Sequence, residues 1–258
     1  MLYLMYTNNI NKGEIKMNYL SDLHTHTISS GHAYSTLLEN VKHASQKGMK
    51  ILGVSDHGPI MPGAPHIWHF HNLRVLPRTI NDVIILRGCE SNILNTNGDL
   101  DVGDHPSLDY LIASLHEPCF KPSTKEENTN AILNALDKYN SIQILGHLGN
   151  PNYDLDFDKI IKKAKEKDVM IEINNSSLSG HSRKGSNVVC KNIALLCKEY
   201  GTKVILSSDT HFYTSIGVFD NAIEMLREIE MPEELIMNEP SKLITQLHSK
   251  DKALDIEI

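Results

Sequence analysis

Imidazoles and carboxylates recur at the ends of short apolar runs along this chain: His24 and His26, His57, Glu90, His116, His147, then Asp209 with His211. All are metal-ligand types, and nitrogen and carboxylate donors without cysteine suit zinc, manganese or iron, so the donor list alone does not choose the metal. A single histidine is more often hydrogen-bonded or solvent-facing than a ligand. The set carries more weight, because six of seven run ends hold such a group and the seventh ends in Asn174. Side chains two apart in an extended segment share a face, so His24 points with His26, and Asp209 with His211 if the strand reaches that far. The chain holds 14 His against 5 Phe and 1 Trp, and imidazole is only an intermediate core residue. Convergence of these groups is read as a metal cluster, whose local positive charge would attract an anionic substrate.

The seven runs that end this way are 18–24, 50–56, 83–90, 110–116, 142–147, 169–174 and 203–209. Helical patterns separate them at 36–47, 128–139, 156–167, 188–200 and 218–229, and a last helix at 241–250 is expected to cap one end. Thr36 and Glu39 have capping-box spacing, while Gly48 and Gly201 stand where helices should stop. Strands alternating with helices predict βα units, a parallel sheet and an α/β fold. Seven repeats without a linker favour one domain and a barrel, although an open doubly wound sheet fits the same periodicity. In a barrel of this kind the C-terminal strand ends converge on the active site. Segments 58–78 and 91–108 break the rhythm and are read as loops.

Composition excludes several classes. The length of 258 residues, 40% hydrophobic and 22% charged, describes a globular chain. A formal charge of −7 repels phosphate backbones and anionic membranes, so nucleic acid is a poor partner. Cys89, Cys119, Cys190 and Cys197 form no C-x-x-C pair, which fits reduced, packed thiols in a cytoplasmic protein. Residues 1–17 contain neither a signal-type nor a membrane-spanning stretch. Met17 stands just before the first expected strand, which makes 1–17 an extension and Met17 a candidate start, with the domain proper at 18–258.

The remaining histidines have ordinary accounts. His66, His69 and His71 crowd into one loop, where packing around Trp68 is a simpler reading than a lid over the site. His43 and His248 lie on helices and are expected at the surface; His105 and His181 are unassigned. His32, eight residues after His24, is ambiguous from position alone.

Taken together, Asp22-Leu23-His24-Thr25-His26, His32, Ser55-Asp56-His57-Gly58, Gly88-Cys89-Glu90, His116, Gly146-His147 and Ser208-Asp209-Thr210-His211 resemble the PHP (polymerase and histidinol phosphatase) superfamily. The stretches GHAYST, GAPHIWHF, GNPNY, EINNSS and HSRKGS are most similar to its YcdX group of small stand-alone phosphatases. The resemblance implies a distorted seven-stranded (βα)7 barrel in a single domain and three divalent metal ions, zinc foremost, with manganese or iron as alternatives. Carried over by position, His24, His26, Glu90 and Asp209 would hold one ion and His32, His57 and His211 a second. Glu90 would bridge to a third ion, held also by His116 and His147. The implied activity is phosphatase: a metal-bridging hydroxide would attack a small phosphomonoester, with the ions clamping the attacking and leaving oxygens.

Glu90, Asp209 and Asp56 are the residues expected to carry the chemistry. Asp22 and Asp56 could accept the second N–H of ligating imidazoles, or simply end strands and cap turns. Arg183, in a basic loop after the sixth run, is the candidate substrate-phosphate contact, since a guanidinium forks onto phosphate oxygens; a solvated loop is its alternative. Competing activities are histidinol-phosphate phosphatase, a phosphodiesterase or exonuclease of the same superfamily, and an amidohydrolase-like barrel, which lacks support because no strand end offers a lysine. A non-catalytic metal-binding regulatory module is the alternative of another class. Oligomeric state is left open.

Overall fold

The computed structural model describes residues 19–179, 183–249 and Ile256. The 1–17 extension, Asn18 and His181 lie outside the described residues. The strands are β1 (Ser21–Asp22), β2 (Ile51–Val54), β3 (Thr79–Ile80), β4 (Val83–Asn92), β5 (Tyr110–Ser114), β6 (Ile142–Leu145), β7 (Met170–Asn174) and β8 (Val204–Ser207). Seven of them pair in parallel in the order β1-β2-β4-β5-β6-β7-β8, and β3 adds to β4 antiparallel. The helices are α1 (Leu37–Gln46), α2 (Ile67–Asn72), α3 (Lys125–Lys138), α4 (Phe157–Glu166), α5 (Asn175–Leu178), α6 (Ser186–Tyr200), α7 (Asp220–Glu228) and α8 (Pro240–His248). No described helix is long and apolar enough to cross a membrane.

The sheet nearly closes as a barrel, the fold expected from the seven repeats. At the top of the seam a parallel bridge joins Thr25 to Thr210, with the His26 amide donating to the Thr210 carbonyl at 2.9 Å. Lower down, the Asn238 side chain stands in for ladder bonds. Its amide nitrogen donates to Ser21 O (2.9 Å) and Leu206 O (2.7 Å), while its oxygen accepts from Leu206 N at 2.8 Å. Asn238→Leu leaves these buried groups unpaired, at a cost on the order of 1–3 kcal/mol for each. Urea unfolding should therefore show a clearly lower midpoint; an unchanged midpoint would mean that the seam does not depend on this amide.

Strand alternation divides the buried side chains into two cores. Leu23, Ile51, Leu86, Ile112, Ile144, Met170 and Ile205 fill the barrel, and Leu243, Ile244 and Leu247 of α8 plug its base, the capping role expected for the last helix. Neighbouring positions such as Leu52, Ile85, Leu111, Ile171 and Leu206 pack outward against the helices. Tyr110 crosses the barrel to donate to Leu23 O at 2.6 Å. A side chain at Gly53 or Gly88 would lie 2.0 Å or 2.3 Å from this tyrosine, so both positions need glycine.

Several local expectations change. α3 starts at Lys125, ahead of the expected 128, because Thr124 and Glu127 form a capping box that the polar first turn hides from apolar periodicity. Segment 58–78 contains α2, capped by His66 accepting from the Trp68 amide. Trp68 is 74% exposed and Phe70 is buried; of the three histidines, His66 packs on the tryptophan edge-on at 5.4 Å, while His69 meets Asp56 and His71 stacks on His105. Segment 91–108 is not wholly loop: β4 continues through Ser91 and Asn92, and Ile93 bridges Leu100 around the Asn97-Gly98 turn.

Candidate metal centre

The parallel register brings the ligand-type residues together. His57 bridges in parallel to Glu90 beyond the end of β2, and the Thr25–Thr210 bridge sets His24 and His26 beside Asp209 and His211. Interior-facing alternation then carries the line through Ser114 to His116 and through Glu172 to Asn174.

Glu90 lies at the centre of the group. Its Oε2 is 2.7 Å from His57 Nδ1, 3.3 Å from His24 Nε2 and 3.5 Å from His26 Nε2. Its Oε1 is 2.8 Å from His147 Nε2 and 3.2 Å from His116 Nε2. Asp209 Oδ1 faces His26 Nε2 at 3.4 Å and His24 Nε2 at 3.5 Å. His32 closes the group, with its Nε2 3.2 Å from His57 Nε2 and its ring 4.9 Å from that of His211. All nine residues singled out as ligands thus adjoin one another. Donor atoms within 4.8 Å of each other form three overlapping sets: His24, His26 and Glu90; His26, His57 and His211; His57, Glu90 and His116. The second set draws in His26, where the family pattern placed His32.

Despite this crowding, His24 Nε2, His26 Nε2, His57 Nδ1, His116 Nε2 and Glu90 Oε2 are buried without a hydrogen bond. One such orphan costs about 1–3 kcal/mol. Five of them aimed into the same small volume fit a divalent-cation centre. The opposite ring nitrogens are occupied: His24 Nδ1 by Glu172 Oε1 at 2.6 Å, His26 Nδ1 by Ser30 Oγ at 3.0 Å, and His116 Nδ1 by Asn92 Oδ1 at 2.7 Å. Such contacts hold the proton on Nδ1 and leave the Nε2 lone pair for a metal.

Electrostatics follow from burial and crowding. Burial pushes the Glu90 carboxyl up, but His24, His116 and His57 together hold it well below the carboxylate range. Burial works to lower His24, whereas Glu172, Glu90 and Asp209 raise it well above an ordinary imidazole. Burial and the neighbouring His57 bring His26 down to about 3; burial and the charge of Arg183 bring His147 to about 4. His147 and Asp209 have φ of 27° and 52°. Both belong to the residue types that best tolerate this left-handed region, and Glu172 Oε2 pins the first by accepting the His147 amide at 2.6 Å.

Asp56 stands behind the candidate ligands. It accepts from Thr27 N (2.7 Å), Thr27 Oγ1 (2.9 Å), Ser30 Oγ (2.7 Å) and His69 Nε2 (3.2 Å), so it reaches His26 only through Ser30. Asp22 accepts from Ser208 N and Gly217 N and touches no ligand side chain, which matches its strand-end alternative. Arg183 donates through Nη1 to Asp209 Oδ2 at 3.1 Å and Ser177 Oγ at 3.0 Å. His71 stacks on His105 at 3.9 Å, apart from the cluster.

Sequence reasoning missed Glu172, Asn92 and Ser30. Glu172 was detectable as the single acid inside the apolar run Met170–Asn174, two residues from Asn174 and hence on its face. Asn174 Nδ2 donates to both Glu172 Oε2 (3.2 Å) and Asp209 Oδ2 (3.1 Å). Ser30 and Asn92 carry no comparable signal, because serine and asparagine are common in any turn.

Fold and site thus define a parallel βα barrel with a histidine-rich cluster of metal-ligand-type side chains at its C-terminal face. The PHP domain model matches residues 22–176. A probable phosphatase of Clostridium acetobutylicum is 58% identical over 92% of this chain and 97% of its own length. One from Photobacterium profundum is 47% identical over 88% and 92%. A histidinol phosphate phosphatase from Lactococcus lactis, solved with zinc, L-histidinol and phosphate, aligns with a TM-score of 0.58 at 15% identity, covering 83% of this chain and 95% of that one; this likeness concerns the fold. The chain belongs to the PHP domain family.

Proposed function

We propose that this chain, a phosphoric ester hydrolase of the PHP family, cleaves small phosphomonoesters at a centre of three divalent ions, zinc foremost. The five buried donor atoms left without hydrogen bonds carry this reading. His24, His26, Glu90 and Asp209 would hold one ion, His32, His57 and His211 the second, and Glu90, His116 and His147 the third. Ions bound there supply Lewis acidity, ionise water near neutral pH and neutralise charge on phosphoryl oxygens.

The protein's own groups do the rest. His24, His26 and Glu90 are fully buried, whereas the His211 side chain is 32% exposed and His32 is exposed, so substrate reaches the cluster from the His32 and His211 side. Arg183, with a side chain 19% exposed, lies beside Asp209 and would bind a phosphate oxygen. Asp56 orients His26 through Ser30, and Glu172 orients His24. The dry base of the cluster strengthens each of these interactions.

Elemental analysis of purified protein, paired with a panel of phosphomonoesters, phosphodiesters and amides, tests the reading. Bound zinc with phosphomonoester turnover is expected. Bound metal without hydrolysis anywhere in the panel would replace the enzyme by a metal-binding regulatory module. Arg183→Ala should lower kcat/KM by about 10-fold or more, as loss of a charge-assisted contact of about 1.5–3 kcal/mol requires; an unchanged value removes Arg183 from the site.

A further inference from the structure

We infer that Asp101, just past the Ile93–Leu100 bridge that follows β4, is a positioning residue that sets the tautomer of His116 through Asn92. This rests on the metal-centre reading and adds to it a residue that touches no proposed ligand.

The inference follows from hydrogen-bond polarity. Asp101 is surrounded by donors: Asn92 N (2.8 Å) and Ser91 Oγ (2.9 Å) at Oδ1, and Ile60 N (3.0 Å) and Asn92 Nδ2 (2.6 Å) at Oδ2. A carboxylate is acceptor-only, so it draws the NH2 end of the Asn92 amide toward itself. The carbonyl of Gly58, 3.2 Å from the same Nδ2, pulls the same way. The Asn92 oxygen must then face His116 Nδ1, 2.7 Å away, and only an Nδ1–H can donate to it. The lone pair is left on His116 Nε2, which is buried without a hydrogen bond and points at Glu90 from 3.2 Å. Proton placement thus passes from carboxylate to amide to imidazole without Asp101 approaching the cluster.

The surroundings make this relay rigid. Asn92 is fully buried on β4, and Asp101 N returns a hydrogen bond to Asn92 O at 3.2 Å. A Cβ at Gly58 would lie 2.3 Å from Asp101 Oδ1, so the carboxylate is packed against the segment that follows His57. Asp101→Asn keeps the shape but turns one acceptor into a donor within a ring of donors. Where the new NH2 is turned toward Asn92 Nδ2, an Asn92 flip relieves it and presents NH2 to His116, stabilising its Nε2–H form; turned the other way, it meets the Asn92 backbone N–H.

Histidine-selective nitrogen NMR of the metal-free full chain reads this directly. Wild type should show His116 as Nδ1–H, and Asp101→Asn should show a mixture or the Nε2–H form. Chelator competition with zinc should show weaker retention of one ion per chain by about 10–100-fold, the usual effect of an outer partner of a ligand, with the other ions held as in wild type. Asn92→Ala should match it, and the double variant should add little. Ser91→Ala, which removes an Asp101 partner outside the relay, should leave tautomer and zinc retention unchanged. An Nε2–H His116 in wild type overturns the inference even if the variants fail to fold, as does an Asp101→Asn protein with wild-type tautomer and zinc retention. Failure of the underlying reading looks different: wild type itself would then retain no zinc.

Discussion

Glu90→Gln is expected to strip the protein of most of its bound metal and to lower kcat/KM by more than about 100-fold, since changing even the outer partners of ligands costs 10–100-fold. The two Glu90 oxygens together face five imidazole nitrogens. Glutamine supplies one neutral acceptor and an NH2 group, and whichever way it turns, one side of the cluster meets a donor in place of an anion. The buried imidazoles also lose the negative charge that compensates bound cations, in a dry site where charge interactions are strong. Elemental analysis after gel filtration, a phosphomonoester assay and far-UV circular dichroism provide the check. Metal content and activity within twofold of wild type, in a folded protein, would remove Glu90 from the bridging role.

Glu172→Gln should have the second-largest effect, a loss of about 10–100-fold in zinc affinity and in activity. Glu172 touches only donors: His24 Nδ1 at 2.6 Å, the His147 amide at 2.6 Å and Asn174 Nδ2 at 3.2 Å. One carboxylate therefore orients His24, just beyond β1, and holds the strained backbone of His147. Glutamine can accept on one side only, so it must set its NH2 against either the His24 ring N–H or the His147 amide. Glu172→Asp keeps the charge but shortens the reach, and should fall between wild type and glutamine in chelator competition. Equal zinc retention in all three proteins would show that His24 is oriented by packing alone.

How far the site was legible depends on the kind of contact. His24, His26, His57, Glu90, His116, His147, Asp209 and His211 stand out because each sits where an apolar strand pattern ends, and parallel βα topology brings such ends together. His32 could not be found that way. It follows a short 3-10 turn (Ile28–Ser30), and only the family pattern and then the fold place it 3.2 Å from His57. Arg183 was picked out for its charge, yet its neighbour Asp209 is 26 residues away and unrelated by any local period.

Local chemistry in the sequence was sufficient to determine the α/β alternation, the caps at Thr36 and Gly201, the helix that plugs the barrel base and the types of most cluster residues, because each depends on neighbours within a turn or a strand. Tertiary structure alone decided barrel closure, through Thr25 with Thr210 and through Asn238, and it alone decided the direction of each imidazole. His24 takes its orientation from a carboxylate 148 residues away and His116 from an amide 24 residues away. Hydrogen bonds of this kind depend on where the backbone brings two side chains and leave no periodic trace along the chain, so the excess of histidines could point to a metal centre without revealing which nitrogen would face it.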